Sequence, residues 1–144
     1  RLAIMSLEFN LLDKTDYLLC EVRGNHDDPQ DSIDFFLEIL LHCRASAAPR
    51  VLIDMRKAGG NISAVNKIIF YEKIIDKYEI YLKFGGLPIR MVFVVNADNI
   101  ADYNPGLDVA VRRKFSAMIT DGLREAIDWL AETEVERNSV ALEY

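Results

Sequence analysis

The side chains with the chemistry for a site gather in one stretch, Arg50 to Ser63, which reads Arg-Val-Leu-Ile-Asp-Met-Arg-Lys-Ala-Gly-Gly-Asn-Ile-Ser. Asp54 and Arg56 are the first charges after a short apolar run, and Gly59-Gly60 lets the backbone swing round. Asn61 and Ser63 then offer polar groups, Ser63 as the N-cap of the helix that follows. Such a loop could cradle an anion, but the lysine and threonine of a phosphate-binding loop are absent, and Gly59-Gly60-Asn61 reads first as a turn into a helix. Asp54 sits where a phospho-accepting aspartate sits at a strand end, yet a structural pairing with Arg56 or Lys57 is the simpler role. The two histidines, His26 and His42, lie in no serine or cysteine signature. His26-Asp27-Asp28 reads as a turn plus helix cap. No Cys-x-x-Cys or His-x-x-x-His occurs, so neither a metal nor another cofactor is expected. Cys20 and Cys43 lie in apolar segments and read as buried thiols. The basic run Arg112-Arg113-Lys114 falls at a helix carboxyl end, where the dipole favours it. No enzyme class gains support from this inventory.

The elements that must position these residues follow from periodicity. With 144 residues, 51% of them hydrophobic, the chain is long enough for a single buried core. A net charge of -6 argues against nucleic acid as a partner, and no apolar run approaches the ~18 residues of a membrane span. Arg1 to Met5 lacks a cleavage-site pattern and reads as strand, so a cytoplasmic protein is expected. Met5 to Leu11 and Tyr17 to Arg23 alternate with period two and form an opening hairpin. Asp28-Pro29 starts a helix with the stripe Ile33, Phe36, Leu37, Leu40 and Leu41. Val51 to Met55 is a strand buried on both faces. The helix opened by Ser63 runs to about Phe84 and ends at Gly85-Gly86. Ile89 to Val95 is a second interior strand. Asn104-Pro105 is predicted to open a short helix, Phe115 to Thr120 a strand, and Asp121 to cap a last helix with the stripe Leu123, Ala126, Ile127 and Leu130, Trp129 alongside. The order β-β-α-β-α-β-α-β-α gives an α/β fold with a mixed sheet of about five strands, one domain over residues 1–133, then a loosely held acidic tail or arm over 134–144.

The second helix carries more apolar and aromatic residues than one stripe holds. It therefore needs two protein neighbours or an exposed apolar face awaiting a partner. Tyr71, Tyr78 and Tyr81 are the predicted contact residues on it. A second copy of the chain is one candidate covering, since a twofold dimer lets one patch serve both molecules.

Three stretches together resemble a known superfamily: Tyr17-Leu18-Leu19-Cys20-Glu21-Val22-Arg23-Gly24, then Val51-Leu52-Ile53-Asp54-Met55-Arg56, and Phe115 with Glu125-Ala126-Ile127-Asp128-Trp129-Leu130. The pattern, covering residues from about 5 to 133, resembles the STAS superfamily of sulphate transporters and anti-sigma-factor antagonists, and within it the bacterial SpoIIAA-like proteins. The resemblance implies a non-enzymatic regulatory module that binds a protein partner through residues 56–63 and the second helix. In that superfamily an Asp-Ser-Ser-Gly segment carries a phosphorylated serine; here the segment is Asn61-Ile62-Ser63-Ala64-Val65, which leaves Ser63 as the one hydroxyl. The resemblance to CRAL-TRIO lipid-binding domains implies an alternative, a carrier or sensor of a small apolar or amphipathic ligand. Its pocket would be lined by Ile68, Tyr71, Ile75, Tyr78 and Phe93.

Overall fold

A computed structural model describes residues 7–25, 28–45, 49–59 and 64–132. Strands β1 (Leu7–Asp13) and β2 (Leu18–Asn25) form the antiparallel hairpin, in register from Leu7 opposite Gly24 to Asp13 opposite Leu18. Helix α1 (Pro29–Arg44), strand β3 (Arg50–Gly59), helix α2 (Ala64–Lys83), strand β4 (Arg90–Val94), helix α3 (Ile100–Arg112), strand β5 (Ser116–Thr120) and helix α4 (Leu123–Ala131) follow. The sheet order is β1-β2-β3-β4-β5, with every pair after the hairpin parallel.

That order explains the layering. Each crossover steps to the next strand in the same direction, so right-handed connections lay their helices on one face of the sheet. Two cores result. Val51, Ile53 and Met91 pack beneath α1, α2 and α3, whereas Leu52, Val92 and Val94 pack with Ala126 and Leu130 of α4 on the other face. Successive side chains of a strand point to opposite faces, so the central stretches, 51–53 of β3 and 91–94 of β4, are apolar on both faces to serve both layers.

Local signals set most boundaries. The Asp28 carboxylate accepts the Gln30 N–H at 2.9 Å, with Pro29 as the first helical residue of α1. Several predicted details differ. Strand β3 continues past Met55 to Gly59, because β2 extends alongside it and pairs Arg23, Gly24 and Asn25 with Lys57, Ala58 and Gly59. Helix α3 starts at Ile100, led in by a 3-10 turn over Ala97–Asn99, so Pro105 lies inside the helix and Asn104 does not cap it. The core stripe of α1 takes in Phe35, Ile39 and Cys43, and leaves Leu41 exposed. Asp121 does not cap α4, whose N-cap position is Gly122. The Thr120 hydroxyl accepts the Gly122 N–H and donates to the Glu125 carboxylate there. In α4, Leu123 is exposed and Trp129 only half-buried.

Arg113 is not left to the dipole of α3. Its guanidinium reaches Glu72, Asp76 and Glu79 of α2 at 3.1, 2.8 and 2.8 Å. Arg90 shows the opposite logic, a charge hidden in a strand. Its side chain is 9% exposed and its guanidinium lies 3.6 Å over the Trp129 ring while donating to the Trp129 carbonyl and Glu132. Cys20 and Cys43 are buried free thiols, and burial pushes both up, Cys43 to about 12. They stay protonated and inert at neutral pH. The predicted acidic tail, and the strand predicted over Arg1 to Met5, lie outside the described residues.

Candidate functional site

Below α1, α2 and α3 the sheet does not fill completely. A cavity of about 230 Å³ remains between Ile53 and Met55 of β3, Met91 and Phe93 of β4, and the inward faces of the three helices. Phe36, Ile75 and Phe115 also line it. Its mouth is set by the topology. Parallel strands β3 and β4 end on the same edge, and the first turns of α1, α2 and α3 begin there, contributing Ser32, Lys67 and Asp102. Open α/β sheets place their ligand sites outside the carboxyl ends of the strands for this reason.

Tyr71 and Tyr103 form the aromatic shoulder of the mouth. Tyr71 lies 5.3 Å from the Phe70 ring, and Tyr103 lies 6.3 Å from Phe93, centroid to centroid. Burial, with the Asp102 carboxylate adding to it, pushes the Tyr103 phenol up to about 12. Burial is also the main reason that the Tyr71 phenol rises, and both therefore stay neutral. Gly106 fixes how closely Tyr71 can lie on α3. A Cβ at that position would stand 2.5 Å from Cζ of the ring, so any larger residue forces the ring aside. A glycine inside a helix costs about 1 kcal/mol relative to alanine, and close approach is the physical reason to keep one.

The predicted site residues divide three ways. Tyr71, Ile75 and Phe93 line the cavity, and Gly59 stands at its rim. Tyr78 and Tyr81 are instead core residues, 5% and 6% exposed. The Tyr78 hydroxyl accepts the Ile89 N–H at 3.0 Å and its ring packs 4.4 Å from Phe115; the Tyr81 hydroxyl donates to the Leu87 carbonyl at 2.8 Å. The reason is that α2 has α1 on one side and α3 on the other, so its aromatic excess serves two protein neighbours. Ile68 points outward, 48% exposed. Asp54 and Arg56 form a pair beside the opposite face, in line with Leu52. Arg56 donates Nε and Nη2 to the two carboxylate oxygens at 2.9 and 2.8 Å, and its N–H reaches Asp54 Oδ1 at 3.1 Å. The Arg56 side chain, first through these hydrogen bonds, holds the Asp54 carboxyl below the usual range. Gly60, Asn61 and Ser63, like His26, lie outside the described residues.

Lys67, Asp102 and Tyr103 escaped the reading by residue pattern, since two helices distant in sequence bring them together. Gly106, one residue after Pro105, was the single local signal of a tight approach on α3. Among the described residues no group of three or more His, Cys, Asp or Glu side chains could hold a metal ion, and no helix is long and apolar enough to cross a membrane.

No family model matches the sequence, and no curated protein matches it. Solved structures do. An anti-sigma factor antagonist from Mycobacterium paratuberculosis superposes with a TM-score of 0.55 at 15% identity, over 88% of this chain and 96% of that one. An uncharacterised DUF3478-family protein with a SpoIIAA-like fold, from Shewanella loihica PV-4, gives 0.47 at 17% identity, over 88% and 94%. At such identities the likeness is one of fold, and the first comparison carries it. The chain thus shares the α/β fold of that antagonist, with, among the described residues, a mixed five-stranded sheet, three helices on one face and one on the other.

Proposed function

We propose that this chain is a non-enzymatic regulatory module of the STAS type, which binds a protein partner through residues 56–63 and α2 and acts in the cytoplasm. The observation that carries this reading is on the outer side of α2. Val65, Ile68 and Ile69 fall at i, i+3 and i+4 and are 67%, 48% and 47% exposed, an apolar stripe directly after the 56–63 segment. Helix-borne stripes of this spacing are how an amphipathic surface meets a partner groove. Ser63, two positions before Val65 in the sequence, is the hydroxyl through which a phosphoryl group would add charge. The test compares the native chain with Ile69→Glu and Ser63→Glu in affinity capture, and measures subunit number by ultracentrifugation at micromolar protein. A partner, or a second copy, retained by the native chain and lost by Ile69→Glu supports the reading. Identical capture and sedimentation for all three refutes it.

A second reading, a carrier or sensor of a small apolar or amphipathic ligand, is favoured by the cavity between the sheet and α1–α3. Protein interiors pack densely, so an apolar void of this size is a place for a guest. Native mass spectrometry of the protein as isolated reads it directly: an adduct of defined mass supports it.

A further inference from the structure

The mouth of the cavity carries more information than its walls. Among the described residues one cation and one carboxylate line it, Lys67 on α2 and Asp102 on α3, and neither forms an ion pair there with another described residue. Two opposite charges that stand on the rim of one apolar cavity without neutralising each other suit a head group that bears both signs. The interior sets the body. A ~150 Å³ apolar cavity admits benzene, so about 230 Å³ accommodates roughly nine carbons. Phe70, Tyr71, Phe93 and Tyr103 around it offer ring edges and faces, which favour an aromatic guest.

We propose that the cavity binds a small aromatic zwitterion of the amino-acid class, ring inward, with its carboxylate at Lys67 and its ammonium at Asp102. The proposal rests on the ligand-binding reading above and specifies the chemistry of that ligand. A lone carboxylate would meet Lys67 but be repelled by Asp102. A lone amine would meet Asp102 and be repelled by Lys67. Only the zwitterion satisfies both.

Isothermal titration of the full chain with L-phenylalanine, 3-phenylpropanoate and 2-phenylethylamine tests this, with 1-nonanol as a neutral apolar probe. L-Phenylalanine is expected to bind at least tenfold tighter than either singly charged analogue. Lys67→Gln should remove its advantage over phenylethylamine, and Asp102→Asn its advantage over phenylpropanoate. Both residues lie at the mouth, so circular dichroism should show these variants folded. Ala117→Leu, which thickens the cavity wall, should weaken every probe and so place the site. Equal affinity for the three aromatic probes, or binding of nonanol alone, overturns the zwitterion and leaves the ligand-binding reading standing. Failure of all four probes to bind overturns both.

Discussion

Tyr78 and Tyr81 provide a sharp test of how solvent decides the worth of a hydrogen bond. Each replacement by phenylalanine removes one hydroxyl and keeps the ring, so the 5.9 Å stack between the two rings and the Tyr78–Phe115 contact survive. No cavity of consequence forms, and the change isolates the polar contact. The partners left behind differ. Tyr78→Phe orphans the N–H of Ile89, a residue 1% exposed, where water cannot replace the lost oxygen. A buried unsatisfied donor costs about 1–3 kcal/mol. Tyr81→Phe frees the carbonyl of Leu87, a residue 48% exposed, which water can reach. The net loss there falls to the ordinary value of one hydrogen bond, about 0.5–1 kcal/mol. The expected order is therefore Tyr78→Phe more destabilising than Tyr81→Phe, by roughly 1 kcal/mol, about a fivefold change in the folding equilibrium. Urea unfolding followed by Trp129 fluorescence and circular dichroism measures it, since Trp129 packs with the core on the other face of the sheet. The slope m should stay constant, because the surface exposed on unfolding is the same. Equal losses, or a greater loss for Tyr81→Phe, would refute the reasoning. A neutral Tyr78→Phe would return that residue to the surface.

Three further outcomes follow from the charged groups. Arg113→Ala leaves Glu72, Asp76 and Glu79 facing each other without their shared cation, and should destabilise by about 1–2 kcal/mol at low salt and less at high salt; an effect insensitive to ionic strength contradicts a charge origin. The Asp54 carboxyl is held low when folded, so its pairing with Arg56 stabilises above the ordinary carboxylate pKa and is lost as pH falls through the depressed folded value. Asp54→Asn should therefore lower stability by about 1 kcal/mol at pH 7 and by little in strong acid, and an equal deficit at both, in thermal unfolding, would exclude this linkage. Arg90→Ala removes the cation beneath Trp129 and the donors to its carbonyl, so Trp129 emission should shift to the red and stability drop by about 2–4 kcal/mol; unchanged emission would show that Arg90 does not hold the end of α4.

Much of the fold was legible in residue order because the controlling forces there are local or periodic. Alternation in β1 and β2, unbroken apolar runs in β3 and β4, and the Asp28-Pro29 start of α1 each specify an element from a few neighbouring side chains. The resemblance to STAS proteins pointed to the fold that the structural comparison shows. Boundaries were less legible where a partner strand or an incoming turn moved them, as in β3 and α3. The site was legible only in part. Tyr71, Ile75 and Phe93 are cavity residues, yet the helical pattern of α2 gave no means of separating them from Tyr78 and Tyr81. Periodicity reports that a helix has apolar faces, and the number of neighbours that cover them is a property of the packed molecule. The sheet order supplied that number by laying α1 and α3 on either side of α2. The same order brought Lys67 and Asp102 to one rim, although 35 positions of chain separate 67 from 102. By itself the sequence determined which segments would be strand or helix and which side chains had to leave water. Only the tertiary structure decided which of them would share a cavity, because that depends on parallel strands ending at a common edge and carrying distant helix starts there together.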